Sequence, residues 1–305
     1  MATLPNALPK LAADPSGGTL GLELPSGTLV DATAEGPWHE PLLWCSDGPA
    51  APGDWLRLSA ARRTAGLHPV LISAIDDEND PDGADGASGE GPAGWQLDPG
   101  ATTYPGDHDP EEVLADYWEE YAADELSAAD PDRPGRERVE EVFGPRSPFA
   151  DTVAPFGPVW PGLAPAGPGS ADPDARAAAV ADSLTGPDSW LEAPRAALVP
   201  ARRSADVPAA LGWSGPVNQE DDVARLCAVL RSWEDRFGIR VVALTAVQLV
   251  LSVAAPPATA EAAEAVAAEH FAFCPDVVVQ GDHDTLREYA AREVLGRHVW
   301  SFWWD

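Results

Sequence analysis

Between Asp76 and Gly94 the chain reads DDENDPDGADGASGEGPAG, a stretch without a single branched aliphatic or aromatic side chain. No core can form there, so the segment is expected to be a solvated acidic surface loop interrupting whatever folds around it. Its carboxylates Asp76, Glu78, Asp80 and Asp82 alternate as in a calcium loop. An EF-hand also needs glycine at its sixth position and glutamate at its twelfth, where Pro81 and Ala87 stand, so no metal site is expected from the pattern.

The 305 residues leave room for two ordinary domains or one with long insertions. Thirty-two prolines and 27 glycines signal long irregular connections. The net charge is −31, and −20 of it falls within residues 76–172. Such a surface repels phosphate backbones and anionic lipid, which argues against nucleic-acid and membrane binding, and attracts a basic protein partner. Solubility alone explains the same charge without a partner. Cys45, Cys227 and Cys274 form no CxxC pair and suggest reduced thiols. With no apolar leader at the N-terminus and no run of 18 apolar residues, a cytoplasmic location is expected.

Residues 1–122 read as a β-rich α/β region. TLGLEL from Thr19 and TLVDA from Thr28 flank Pro25-Ser26-Gly27 as a predicted hairpin, and LLWC follows at 42–45. A helix is predicted over Asp54–Thr64, a buried strand over 68–75, and an amphipathic helix over 110–122 with Val113, Leu114, Tyr117, Trp118 and Tyr121 on one face. Residues 123–172 read as an acidic Pro/Gly-rich linker, with FGPVWPGLAP at 156–165 as an extended segment docked on a neighbouring surface.

Residues 173–305 are more regular. A helix is predicted over 174–185 and a strand over 195–201; then Asp221 and Asp222 open a helix carrying Val223, Leu226, Cys227, Leu230, Trp233 and Phe237 to a stop at Gly238. IRVVAL and QLVLSV follow as strands, Thr259 caps a helix through Phe273, VVVQG is a predicted strand, Thr285 with Glu288 forms a capping box, and HVWSFWWD ends the chain as a strand. The order α-β-β-α-β-α-β predicts an α+β fold, a mixed sheet with packed helices.

The blocks LRSWEDRFG, SVAAPP, AAEHFAFCPD, VVQG and WSFWWD, in that order, resemble the bacterial family catalogued as domain of unknown function 4253, over roughly residues 196–305. The upstream LPKLAADPSGGTLGLELPSG and WLRLSAARRTAGLHPVLI are similar to the leading regions of actinobacterial members. The resemblance implies a fold and carries no activity, cofactor or catalytic residue.

Candidate chemistry gathers around Glu269, His270, Cys274 and Asp276. His270 and Cys274 share a helix face and could meet as an imidazolium–thiolate pair. A helix C-terminus and flanking Phe271 and Phe273 instead favour a buried, inert thiol. His270 with His283 and Asp276 or Asp284 lacks any metal-binding register, and Asp107-His108-Asp109 reads as a solvated loop rather than part of a triad. Trp233, Glu234, Asp235 and Arg236 close a helix, and Gln280, Trp303, Trp304 and Asp305 complete the candidate contact set. Arg236 is expected to pin the last strand by pairing with Asp305 or the chain terminus; a ligand-contacting cluster is the alternative. No phosphate-binding or hydrolase motif is present. Two functional readings follow: a non-enzymatic, immunity-like or regulatory module binding a basic protein, without cofactor; or a small-molecule enzyme using Glu269, His270, Asp276 and Arg236 at an inter-domain cleft.

Overall fold

A computed structural model describes residues 6–33, 35–73, 97–128, 149–169 and 171–304. The loop expected over 76–94, residues 129–148 and 170 of the 123–172 linker, and Asp305 therefore lie outside the described residues.

Seven strands form one sheet: β1 (Gly27–Val30), β4 (Leu43–Pro49), β5 (Leu67–Ile72), β6 (Arg195–Pro200), β7 (Ile239–Leu244), β8 (Gln248–Val253) and β9 (Val299–Trp303), in the spatial order β1-β4-β6-β5-β7-β8-β9. A separate two-stranded hairpin joins β2 (Ala32–Thr33) to β3 (Gly36–Pro37). All pairings in the large sheet are antiparallel except β5 with β7, so the sheet is mixed and the fold is α+β. Strands from residues 27–72 and from residues 195–303 share this sheet, which is continuous across the composition boundaries at 122 and 172.

Alternation along the strands divides the core in two. Leu43, Val70, Val199, Val241, Leu251 and Phe302 face a large cluster built with α1 (Pro110–Ala128), α2 (Val223–Phe237) and α3 (Ala260–Phe273). Their neighbours in the strands, Trp44, Leu198, Leu71 and Val242 among them, face two smaller clusters under the N-terminal segment, the helices Asp54–Leu58 and Ala60–Ala65, and the helix Pro173–Leu184. Central strands buried on both faces must read as unbroken apolar runs, which is why LHPVLI and RAALVP lack a polar phase.

Helix α2 begins where the Asp222 carboxylate accepts the Ala224 N–H, and ends at Gly238, whose φ of 63° suits glycine. Helix α3 begins where the Thr259 hydroxyl accepts the Ala262 N–H. The extended segment at 156–165 packs Phe156, Trp160 and Leu163 against the large cluster and buries Ala164.

Two elements differ from the sequence expectation. Thr19 lies in a 3-10 turn, Gly18–Leu20, bounded by left-handed Gly17 and Gly21; β1 takes β4 as its hairpin partner, pairing Leu29 with Trp44. VVVQG forms no strand: Asp276–Val279 is a helix, α4, that buries Val277 and Val278 and leaves Val279 exposed. Pro275 with φ −56° and ψ −29° already sets the helical conformation, and burial of two valines outweighs the β preference of the run. The following helix α5 (Leu286–Tyr289), capped by Thr285 as expected, continues into a π-helical turn, Ala290–Val294.

Candidate functional site

The expected site residues sort into two neighbourhoods separated by the Trp233 ring. On one side lies Glu269, fully buried in α3. Its Oε1 accepts the Ala164 N–H at 2.6 Å and Arg236 Nη1 at 2.7 Å; its Oε2 accepts Trp233 Nε1 and Arg236 Nη2, both at 2.6 Å. Four donors occupy the carboxylate, leaving no oxygen free to exchange a proton with a substrate. Arg236 also donates to the Ala164 carbonyl at 2.8 Å, so the pair staples the 156–165 segment onto α2 and α3. Arg236 thus finds its carboxylate in Glu269, while Asp305, the partner expected from the sequence, lies outside the described residues.

On the other side, His270 sits in an aromatic box, its ring centroid 4.4 Å from Trp300, 4.9 Å from Phe302, 5.0 Å from Trp233 and 5.9 Å from Tyr289. Nδ1 lies 3.0 Å from the Tyr289 hydroxyl, and Nε2 has no hydrogen-bond partner among the described residues. Burial, then the nearby Arg236 charge, lowers its pKa to about 3, so the imidazole is neutral. Tyr289 is buried, and its phenol is pushed well above the usual range by that burial.

The imidazolium–thiolate pair does not form. Cys274 turns away and donates its thiol to the Trp303 carbonyl at 2.9 Å, and burial raises its pKa far above that of a free thiol. Cys45 and Cys227 are buried too, with thiol pKa values also raised chiefly by burial. The folded protein is therefore expected to react with a thiol-specific chromogenic reagent at neutral pH at least about a hundredfold more slowly than glutathione, and to release all three thiols only in denaturant. Rapid native labelling of Cys274 would contradict this placement.

The remaining candidates have structural partners. Glu234 accepts from Arg203, Arg240 and the Ala205 N–H, and Asp235 accepts from Arg203 at 2.5 Å. Gln280 donates to Asp276 at 2.9 Å. Trp304 is buried, stacked edge-on against Trp213, and donates to Gln219 at 3.0 Å. Trp303 points to the opposite face of β9 and is partly exposed. His283 Nε2 lies 3.2 Å from Glu293. His108 contacts Thr103 at 2.6 Å, and no group of three metal-binding side chains occurs among the described residues.

Two clefts open nearby. One, of about 500 Å³, runs beside β9 and is lined by Val277, Asp282, His283, Tyr289, Glu293 and Arg297, with Gly281, His298 and residues of the strand. None of Glu269, His270, Cys274 or Asp276 lines it. The other, about 330 Å³, is flanked by Arg203, Arg231 and Arg236. Each of these arginines is already paired, Arg231 with Asp206 at 2.5 and 2.8 Å. Sequence reasoning missed Tyr289 and the β9 cleft. Tyr289 carries no local spacing signal, and Val277, which lines the cleft, sits in a helix where the sequence predicts a strand.

The architecture is an α+β fold around a mixed sheet whose strongest polar feature is a buried Arg–Glu pair. Residues 195–305 match the model of a family described as Domain of unknown function (DUF4253). That span holds the strands β6 to β9, the helices α2 to α5, and Trp233, Arg236, Glu269, His270, Cys274 and Tyr289. Neither a curated protein nor a solved structure matches the chain.

Proposed function

We propose that this is a non-enzymatic, cytoplasmic protein-binding module, immunity-like or regulatory in kind, whose partner is a basic protein. The observation that carries the reading is charge: a net −31 with −20 between residues 76 and 172. A field of that sign accelerates encounter with a cationic surface and disfavours nucleic acid. The chemistry of the interior supports the same reading, because Glu269 is saturated, His270 is neutral and enclosed, and Cys274 is a buried thiol. An acid–base enzyme built on Glu269, His270, Asp276 and Arg236 would need them to converge on one cavity, and of the four only Arg236 borders either cleft.

The test is affinity purification of the tagged protein from its own host, beside a variant in which the carboxylates of residues 76–141 are changed to amides. The parent is expected to retain a basic protein, with affinity falling as salt rises. Equal recovery by both forms, or recovery by neither, would remove the basis of the proposal.

A further inference from the structure

Strand β9 ends the sheet on one side, and two bonds fix the phase of its backbone. Val253 N–H donates to the His298 carbonyl at 2.9 Å, and Trp304 N–H donates to the Val247 carbonyl at 3.2 Å. Even-numbered residues of β9 therefore turn their N–H and C=O toward β8, while Val299, Ser301 and Trp303 turn theirs outward. The outward carbonyl of Trp303 is taken by the Cys274 thiol, which closes the open stretch at that end. The N–H groups of Val299, Ser301 and Trp303 and the carbonyls of Val299 and Ser301 have no ladder partner among the described residues.

Sheet edges are ordinarily blunted by proline, lysine, a bulge or extreme shortness. The run VWSFW contains neither proline nor lysine, and its register with β8 is unbroken from Val299 to Trp303. The opposite edge, β1, has four residues and begins at Gly27, held against the Trp44 ring. Along β9 the 500 Å³ cleft lies between the edge and the wall made by Val277 and Gly281, with buried Tyr289 and Trp300 among its lining. That volume falls in the range of ligand-binding clefts. Asp282 and Glu293, the latter 3.2 Å from His283 Nε2, add two exposed carboxylates to it beside the single cation Arg297.

We infer that β9 is a strand-addition site for an extended segment of the basic partner. About four residues pair with the outward groups of Val299 to Trp303, apolar side chains enter the cleft over Tyr289 and Trp300, and a lysine or arginine reaches Asp282 and Glu293. The inference rests on the protein-binding reading above. A second copy of the chain is the weaker occupant, because two molecules each carrying −31 repel where a cationic segment is attracted.

The test uses the full chain and a capped heptapeptide of alternating lysine and valine, with a glutamate–valine peptide as control. Two changes separate backbone pairing from charge: Ser301→Pro, which removes the central outward N–H at an edge position that tolerates proline, and N-methylation of alternate amides in the peptide. The parent is expected to bind the lysine–valine peptide and not its acidic counterpart, with each change weakening binding at least about tenfold and peptide slowing amide exchange at Val299 and Ser301 about tenfold. Unchanged affinity after both changes, with unaltered exchange, overturns strand addition and leaves the acidic-binder reading intact. Absence of any binding to the lysine–valine peptide at millimolar concentration overturns both. Self-association of the parent abolished by Ser301→Pro would reassign the edge to a second copy and overturn the inference.

Discussion

Replacing Glu269 by alanine is expected to lower the free energy of unfolding by about 3–5 kcal/mol, the usual loss when one member of a buried ion pair is removed. Three groups lose their acceptor together: the Arg236 guanidinium, the Trp233 indole N–H and the Ala164 N–H. The side chain of Arg236 is only 15% exposed, so its charge cannot simply move into solvent. Against a typical total of about 5–15 kcal/mol, the loss takes a large share of stability and appears in urea titration as a lower midpoint. Pairing Glu269→Leu with Arg236→Met is expected to restore part of it, since an apolar pair of similar volume escapes the desolvation that an orphaned charge suffers. A loss under about 1 kcal/mol for Glu269→Ala would instead place the carboxylate in a solvated setting.

Much of this arrangement is legible in the sequence, and the illegible part has a common cause. Helix α2 announced itself by spacing from Val223 to Phe237 and by Gly238, because a long amphipathic helix repeats its signal over several turns. Strands β7 and β8 were equally plain. VVVQG misleads because five residues cannot distinguish a strand from one turn of helix, and only the surface available to Val277 and Val278 decides it. The sequence placed Arg236 beside a carboxylate and missed which one, since Glu269 lies 33 positions away and meets it through packing of α2 on α3. His270 was recognised as a chemically interesting residue; its enclosure depends on Trp300, Phe302 and Tyr289, which arrive from later elements.

The same enclosure makes stability depend on pH. His270 and His68 are buried, with pKa values lowered to about 3 and about 4, in each case first by burial and then by arginine charge: Arg236 near His270, Arg62 and Arg240 near His68. In the unfolded chain both titrate near 6.5. Above that pH neither state binds the protons and the contribution is complete. As pH falls below about 6.5 the unfolded state gains protons that the folded state refuses, so stability drops by up to about 1.4 kcal/mol per pH unit for each histidine. The decline for His68 ends near its folded pKa of about 4, and for His270 near about 3. Protonation of surface carboxylates relieves the repulsion of a −31 chain and acts in the opposite direction, so the slope of the parent alone is ambiguous. His270→Phe resolves it. The ring replaces imidazole among Trp233, Trp300 and Phe302 and leaves the Tyr289 hydroxyl unpartnered, a loss of about 1–3 kcal/mol that does not vary across this range. Urea titrations from pH 7.5 to 4.5 are expected to give a lower plateau for His270→Phe and a shallower fall, by up to about 1.4 kcal/mol per unit. Parallel curves for the two proteins would mean that His270 takes up its proton in the folded state, and the aromatic box would then have to open to admit it.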